Sequence, residues 1–234
     1  MGNAPESPVV AAPAVAAHDQ GIHGALAETE RYIPTSGIAV ENTRAVVPAL
    51  VSAIVGARDW LSEIDGKIGD GDHGINMAKG FARCGHALGD APPTMEGGLR
   101  ALSDALMAGI EGLAKPLAGV TYIDAHLFGL MLDGAEAGIR SLGNADVGDK
   151  TLMDTLVPAV KAYHAAEGQG LKAALAAMSV AAEHGRDSTR DLVARIGRAS
   201  RLGERSRGVL DAGATSCCLI LQTLAASLSG IAEA

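Results

Sequence analysis

The sequence has few aromatic residues, few cysteines and little positive charge. Only 3% of its 234 residues are Phe, Trp or Tyr while 48% are hydrophobic, so the core must be built from aliphatic side chains. The formal net charge of −8 argues against nucleic acid or an anionic membrane surface as a main partner. The three cysteines are an odd number and two of them are adjacent, which argues against a disulfide framework and favours a reducing, cytoplasmic location.

Targeting and membrane signals are also missing. No basic segment precedes the apolar part of the N-terminus, as a signal peptide requires. No run elsewhere reaches the ~18 uninterrupted apolar residues typical of a membrane helix, so we expect no membrane partner. Residues 1–40 are rich in Ala, Pro and Val and have no helical period. We therefore predict a flexible or loosely docked N-terminal arm over residues 1–40.

From residue 41 onward the apolar residues recur three or four positions apart, which is the period of an amphipathic helix. The first such segment reads TRAVVPALVSAIVGARDWLSEID, with Pro48 near its start, where proline is tolerated. We find neither the alternation that predicts strands nor an internal repeat. The sequence therefore predicts one all-α domain over residues 41–234, built from roughly eight helices. The further helical segments are at about 75–89, 95–113, 121–142, 151–166, 170–185, 187–197 and 212–231.

The loop between the first two helical segments, IGDGDHGINMAKG, combines glycines with acidic side chains. Gly69, Gly71 and Gly74 match the pattern G-x-G-x-x-G, which indicates a dinucleotide site when it follows an apolar strand. The preceding segment, RDWLSEIDGK, is charged and has a helical period, so that interpretation fails. A calcium loop of the EF-hand kind fails too, because the twelfth position counted from Asp70 is Phe81, where a Glu is needed.

A third interpretation of this loop is a magnesium site. Asp65, Asp70 and Asp72 lie within eight residues, and the glycines among them let the chain fold tightly. Three hard oxygen ligands suit Mg²⁺, which accepts phosphate oxygens as further ligands. The cation then offsets the repulsion between carboxylates and phosphate, and the helix that opens at Gly74 offers N-terminal amides to an anion. The alternative is that the aspartates only cap this helix and form a turn.

The C-terminal third holds a second polar cluster, IGRASRLGERSRGVLDAGATS, in which four arginines lie within ten residues. A guanidinium binds two phosphate oxygens at once, so these arginines are candidate phosphate ligands; the alternative is a solvated surface turn. A third segment, GDKTLMDTLVP, indicates a helix start that Asp149 or Thr151 caps. The four arginines are Arg198, Arg201, Arg205 and Arg207.

Three segments, IDGKIGDGDHGINMAKGF, GDKTLMDTLVP and GRASRLGERS…DAGATS, together resemble the nucleotide-binding L subunit of dihydroxyacetone kinases, the Dak2-type domain. The resemblance covers about residues 42–231 and implies a barrel of antiparallel helices that binds ADP or ATP. It implies that Asp65, Asp70 and Asp72 bind two Mg²⁺ ions, which bridge the nucleotide phosphates. It also implies that His73 and Asn76 contact those phosphates. Arg198 and the loop from Asp211 to Gly213 would then lie near the nucleotide.

The resemblance also implies an activity and partners. The family transfers phosphate to a dihydroxyacetone-like ketose that a separate K subunit holds through a covalent link to a histidine. The donor is either ATP, exchanged at each turnover, or a bound ADP that a sugar phosphotransferase protein rephosphorylates. A second function stays open, that of a non-catalytic relative that binds metal and adenine nucleotide as a sensor or as the partner of a regulator.

The chain departs from the family pattern in two places. The glycine-rich nucleotide loop is replaced by EGLAKPLAG, which places Glu111 and Lys115 at small or glycine positions. The family's His-Gln-Asp-Pro-Gly is replaced by VLDAG, ending at Gly213. We expect the Lys115 ammonium to turn inward and to contact the nucleotide phosphates. The alternative is a surface pair with Glu111, four positions earlier on a helix.

Overall fold

A computed structural model of the chain describes residues 37–89, 92–106 and 108–232, and for residues 104–106 and 108 it describes the backbone alone. Residues 1–36 of the predicted arm lie outside this part. The described residues form nine α-helices: α1 (Val46–Gly56), α2 (Arg58–Ile68), α3 (His73–Leu88), α4 (Met95–Leu106), α5 (Ala108–Ala114), α6 (Ala125–Arg140), α7 (Met153–Ala166), α8 (Leu171–Ser188) and α9 (Ala212–Ile231).

Short 3-10 helices and one strand pair complete the described structure. The 3-10 helices are Val40–Ala45, Lys115–Leu117, Glu167–Gln169 and Arg198–Ser206. Two strands of two residues each, β1 (Ile38–Ala39) and β2 (Tyr122–Ile123), pair antiparallel with Ile38 opposite Ile123. The sequence shows no alternation there because strands of two residues are too short to display one.

The helices form a closed ring. Leaving α2 aside, each helix from α1 to α9 contacts the next one along the chain, and α9 contacts α1. Helix α2 packs on α3 outside this succession. The ring confirms the predicted all-α class and brings the C-terminal helix against the first one, so residues far apart in sequence meet at its ends.

The core is aliphatic, as the composition predicts. Three aromatic side chains, Phe81, Phe128 and Tyr163, are nonetheless fully buried within it. The rings of Phe128 and Tyr163 lie 5.4 Å apart between centroids, and the Tyr163 hydroxyl donates a hydrogen bond to the Ala125 carbonyl oxygen at 2.8 Å. A buried phenol keeps a partner in this way, because an unsatisfied hydroxyl would lose its hydration without compensation.

The predicted helix over residues 187–197 is wrong. Helix α8 continues to Ser188, and residues 189–197 form turns, bends and irregular backbone. The carbonyl oxygens of Thr189 and Leu192 accept hydrogen bonds from the Lys150 ammonium, which holds this segment in its turns. Gly197 ends it with a φ of +70°, which lies outside the helical region.

Among the described residues, α9 is the one helix whose length and apolar composition would allow it to cross a membrane. Residues 40–56 and α2, which are bent relative to each other, would also be long and apolar enough if they formed one span. A helix buried in the core of a protein can have the same length and composition. Nine α9 residues are buried in the ring, from Ala212 near the polar end to Leu228. Its apolar character is therefore accounted for by its place in the core.

One close crossing of helices depends on two glycines. A Cβ atom on Gly112 of α5 would lie 1.9 Å from the Gly134 carbonyl oxygen of α6, and one on Gly134 would lie 2.3 Å from the Gly112 carbonyl oxygen. Backbone atoms cannot move aside as the tip of a side chain can. The two helices can therefore keep this distance only if both positions lack a Cβ.

We predict that Gly112→Ala destabilises the protein by about 1–3 kcal/mol, as overpacking of a core does. The gain of about 1 kcal/mol that alanine brings inside a helix is outweighed by the clash with backbone. Urea unfolding measures the difference. Gly56→Ala is the matched control, because a Cβ there meets nothing within 4 Å, and it should leave the stability unchanged or slightly higher. Equal stabilities of the two variants would contradict the crossing.

A second feature of the fold is a histidine ring held between two carboxylates. The His164 ring on α7 lies between two carboxylates, with Nδ1 2.9 Å from Glu167 Oε2 and Nε2 2.8 Å from Asp133 Oδ1. His126 Nδ1 lies 3.0 Å from the other oxygen of Glu167. Both ring nitrogens can donate only when the imidazole is protonated. The hydrogen bonds to Glu167 and then to Asp133 accordingly raise the pKa of His164 above its ordinary value.

A raised pKa in the folded state means that the cluster contributes stability below the ordinary histidine pKa of ~6.5 and loses it as the pH rises through the folded value. We predict that the free energy of unfolding of the wild type minus that of His164→Gln falls as the pH rises above ~6.5. The cluster is partly exposed, so the change should be a few tenths to about 1 kcal/mol. Urea unfolding at several pH values measures it, and a difference that grows with pH would contradict the protonated cluster.

Candidate functional site

The three predicted metal ligands come together around the start of α3. Asp65 lies in the last turn of α2, Asp70 in the connecting loop, and Asp72 directly before the first residue of α3. Their carboxylate oxygens lie within 4.8 Å of one another, and no other group of three or more His, Cys, Asp or Glu side chains in the described part of the chain is so close. A Cβ atom on Gly69 would lie 2.5 Å from Asp65 Oδ1, so glycine leaves room for that carboxylate.

A guanidinium compensates the charge of this cluster. Arg198, at the start of the 3-10 helix Arg198–Ser206, donates one hydrogen bond to Asp70 Oδ2 and a second, of 3.0 Å, to Asp72 Oδ1. The bond from Arg198 holds the pKa of Asp72 below its ordinary value. The guanidinium therefore offsets part of the negative charge of the three carboxylates. Three carboxylates grouped in this way are the hard oxygen donors that Mg²⁺ prefers, so these residues fit the predicted ion.

His73 connects the acidic cluster to α9. Its backbone N–H donates to Asp65 Oδ2 at 3.3 Å, and its ring Nε2 lies 3.0 Å from Ser216 Oγ. The Ser216 hydroxyl donates its hydrogen to the Gly213 carbonyl oxygen, so it accepts from His73 and the imidazole carries its hydrogen on Nε2. Burial lowers the pKa of His73, which keeps the ring neutral near pH 7.

The N-terminus of α9 forms another wall of the site. Asp211 caps the helix by accepting a hydrogen bond of 2.7 Å from the Ala214 N–H, and its own N–H donates to Thr189 Oγ1 at 3.0 Å. Burial raises the pKa of Asp211 to about 6. With its cap in place, the first turn of α9 presents backbone amides to an anion, as helix N-termini do.

A cavity of about 410 Å³ opens at this polar cluster and extends into the ring of helices. Its polar end is lined by Asp72, His73, Asn76, Arg198 and Ser216. Further in, the lining is almost entirely apolar and comes from the ring helices. Examples are Met77 and Phe81 of α3, Ile110 and Leu113 of α5, Leu132 of α6, Leu156 of α7 and Ile220 of α9. The arrangement suits a ligand with a charged group at the mouth.

Lys115 does not reach this cavity. Its Nζ lies 3.2 Å from Glu111 Oε1, and its side chain is 71% exposed. The 3-10 helix Lys115–Leu117 follows α5 without a break, so residues four apart lie on one outer face and pair there. The expected inward orientation of Lys115 is therefore wrong in this structure, and the surface pair is what is found.

The DAK2 domain family matches residues 67–226, which is more than half of the chain. The chain belongs to the DAK2 domain family. It is 37% identical over 183 residues to the "PEP-dependent dihydroxyacetone kinase, ADP-binding subunit DhaL" of Escherichia coli (strain K12), covering 71% of this chain and 87% of that protein. It is 32% identical over 188 residues to the corresponding subunit of kinase 2 of Listeria innocua, covering 73% and 87%.

Two longer proteins match this DAK2 domain over part of their length. A D-erythrulose kinase of Mycolicibacterium smegmatis is 34% identical over 195 residues, which cover 76% of this chain and 33% of that protein. The crystal structure of the dihydroxyacetone kinase from C. freundii in complex with AMP-PNP and Mg²⁺ matches with a TM-score of 0.56 and 19% identity, covering 94% of this chain and 38% of that one. At this identity the likeness shows the fold alone.

The structure of the DAK2 domain thus brings together most of the predicted site residues. Asp70 and Asp72 contact Arg198 directly, and His73 bonds to Asp65. Asn76 and Gly213 line the same cavity, and Asp211 caps the helix that begins there. Ser216 was not among the predicted residues, although the DAGATS segment that contains it was. Its role depends on a contact with a residue 143 positions away, which the sequence does not display.

We predict that Lys115→Ala changes the affinity of the DAK2 domain for ADP and Mg²⁺ less than about threefold, because an exposed ion pair contributes only about 0–1 kcal/mol. Isothermal titration calorimetry at two salt concentrations measures the affinity. Glu111→Ala is the matched control, since it removes the other partner of the same pair and should behave alike. A selective loss in Lys115→Ala that is largest at low salt and shrinks as salt screens the charges would show that the ammonium reaches the phosphates.

Proposed function

We propose that this DAK2 domain is the ADP- or ATP-binding L subunit of a dihydroxyacetone kinase, working in the cytoplasm. The observation that carries the proposal is the cluster of Asp65, Asp70 and Asp72 at the N-terminus of α3, balanced by the Arg198 guanidinium and facing the capped N-terminus of α9. The relatives named as ADP-binding subunits, 32–37% identical over most of their length, support the same assignment.

The proposed site divides the binding of a nucleotide phosphate between several groups. Asp65, Asp70 and Asp72 would hold Mg²⁺, with two ions as the expected number. The bound metal supplies positive charge to the phosphoryl group being transferred. His73 can donate to a phosphate oxygen if its Nε2–H leaves Ser216, and Asn76 lies beside it at the cavity mouth. Arg198 needs only to leave the aspartates, once the metal neutralises them, to bind the phosphates through its two-pronged donor group.

The acceptor is proposed to be dihydroxyacetone or a similar ketose held by a separate K-type subunit. The lengths of the matches support this division. The chain spans 87% of the E. coli subunit but only 33% of the erythrulose kinase and 38% of the solved kinase chain. The "PEP-dependent" names of the E. coli and L. innocua subunits support a phosphotransferase-system protein, rather than free ATP, as the phosphoryl donor.

A second candidate function is a non-catalytic nucleotide sensor that acts with a regulator. One observation favours it: the segment that replaces the family's glycine-rich loop carries an ion pair, between Glu111 and Lys115, on the same helix that lines the cavity with Ile110 and Leu113. A sensor would keep nucleotide and metal binding but would not transfer phosphate.

The metal assignment is tested by Asp70→Ala and Asp72→Ala. We expect each to weaken ADP binding in the presence of Mg²⁺ by more than the roughly 10–100-fold that even outer-shell changes cost. Calorimetry measures the affinity and circular dichroism the helix content, which should not change. Asp59→Ala is the control, because Asp59 is an exposed carboxylate on α2 away from the cluster. Unaltered affinity in the two site variants would contradict the assignment.

The catalytic role is tested separately with the wild-type chain, alone and together with its proposed partners. The purified chain alone should not phosphorylate dihydroxyacetone, whereas the chain mixed with a K-type subunit and a phosphoryl donor should. A rate of ~1–100 s⁻¹ without any partner would contradict the two-component proposal. Tight ADP binding without transfer under every partner combination would favour the sensor.

A further inference from the structure

The segment GDKTLMDTLVP contains a lysine that the proposed site does not yet explain. Lys150 is only 2% exposed, although lysine is rarely buried without a partner. It is also the one non-glycine residue with a positive φ in the described ranges, at +62°. A left-handed backbone costs about 1–2 kcal/mol for such a residue. Burial and backbone strain at one position indicate that the side chain is held for a reason.

The turn that carries Lys150 is built by a buried carboxylate. Asp154, on the first turn of α7, accepts hydrogen bonds from the Gly148 N–H at 2.6 Å and from the Thr151 N–H at 2.7 Å. Asp154 is itself 2% exposed. The carboxylate therefore fixes the chain on both sides of Lys150 and directs its side chain into the protein.

The Lys150 ammonium donates to three backbone carbonyl oxygens, one for each of its hydrogens. The distances from Nζ are 2.5 Å to Thr189, 3.3 Å to Leu192 and 2.5 Å to Val209. No carboxylate in the described part of the chain lies within ion-pair distance of Nζ. Burial lowers the pKa of the ammonium, while the more distant charges of Asp211 and Asp154 oppose this effect.

The three carbonyls belong to the two chain segments that lead into the site. The segment from Thr189 to Leu192 precedes Arg198, and Val209 lies two residues before Asp211. Two further bonds join these segments directly: the Asp211 N–H donates to Thr189 Oγ1 at 3.0 Å, and the Gly208 N–H donates to the Arg190 carbonyl oxygen at 2.7 Å. The ammonium thus lies at the base of the structure that carries both the guanidinium and the cap of α9.

We propose that Lys150 is a positioning residue of the nucleotide site, whose buried ammonium holds the segments around Thr189 and Val209 together and so places Arg198 and the Asp211-capped amides for phosphate. The inference rests on the proposed function, because it takes ADP with Mg²⁺ as the ligand. Lys150 does not line the cavity, so its effect on the ligand passes through the residues that it positions.

Lys150→Met tests the proposal, because it keeps the length of the side chain and removes the ammonium. We expect ADP binding at saturating Mg²⁺ to weaken about 10–100-fold, as for loss of an outer-shell partner. Hydrogen exchange should accelerate in residues 190–197 and 211–216 and stay unchanged in α6. The control is Met178→Ala, a core truncation in α8 that lowers stability but should leave ADP affinity unchanged.

A double variant separates positioning from general stability. The loss caused by Lys150→Met should become smaller in an Arg198→Ala background, because part of what Lys150 positions is then already missing. Equal losses in both backgrounds would overturn the positioning role. A folded Lys150→Met protein with wild-type ADP affinity would overturn it too.

If Lys150→Met does not fold, Thr189→Val keeps the proposal testable, since it removes only the hydroxyl that accepts from the Asp211 N–H. It should weaken ADP binding severalfold, and unchanged affinity would overturn the proposal. Failure of the proposed function has a different signature, because the wild-type protein itself would then not bind ADP with Mg²⁺.

Discussion

Three carboxylates that lie within 4.8 Å of one another set the main electrostatic constraint on this protein. Like charges at that distance repel one another, and a cation that lies close by offsets the repulsion. Arg198 provides that cation from 128 positions further along the chain. The constraint is therefore met by tertiary structure: the contact of α9 with α1, which closes the ring, brings the C-terminal polar segments against the loop that carries the aspartates.

The closed ring also explains why polar and apolar surfaces meet in one cavity. Helices arranged in a ring direct their apolar faces inward, and their ends gather at the rims. The N-termini of α3 and α9 meet at one rim, where capped amides and the acidic cluster lie together. A phosphate with its metal is suited to that rim because the helix termini favour anions and the carboxylates favour the cation. The aliphatic composition, with aromatic residues at only 3% of the chain, supplies the inner faces.

The sequence predicts the helices and the grouping of Asp65, Asp70 and Asp72 well because both depend on local patterns. Apolar spacing marks each long helix, and the aspartates and glycines of the loop are neighbours in the chain. The prediction of a helix over residues 187–197 is wrong because this segment depends on contacts between residues that are distant in sequence. The carbonyl oxygens of Thr189 and Leu192 accept hydrogen bonds from Lys150, which lies some forty positions earlier. Ser216 and Lys150 were missed for the same reason, since their partners are distant in sequence. The orientation of Lys115 was predicted wrongly because a nucleotide phosphate and the Glu111 carboxylate both suit an ammonium.

One of the two departures from the family pattern, at Glu111 and Lys115, lies on an outer face of the protein and not in the cavity lining. Glu111 and Lys115 pair in solvent, whereas Ile110 and Leu113 of the same helix line the cavity and Gly112 contacts α6. The inner positions of this helix are fixed by the close crossing, so substitution is tolerated at the outer positions first. The aspartates, His73 and Arg198 keep their mutual contacts in the presence of these changes. The changes at Glu111 and Lys115 therefore alter the surface next to the site more than the contacts among the aspartates, His73 and Arg198.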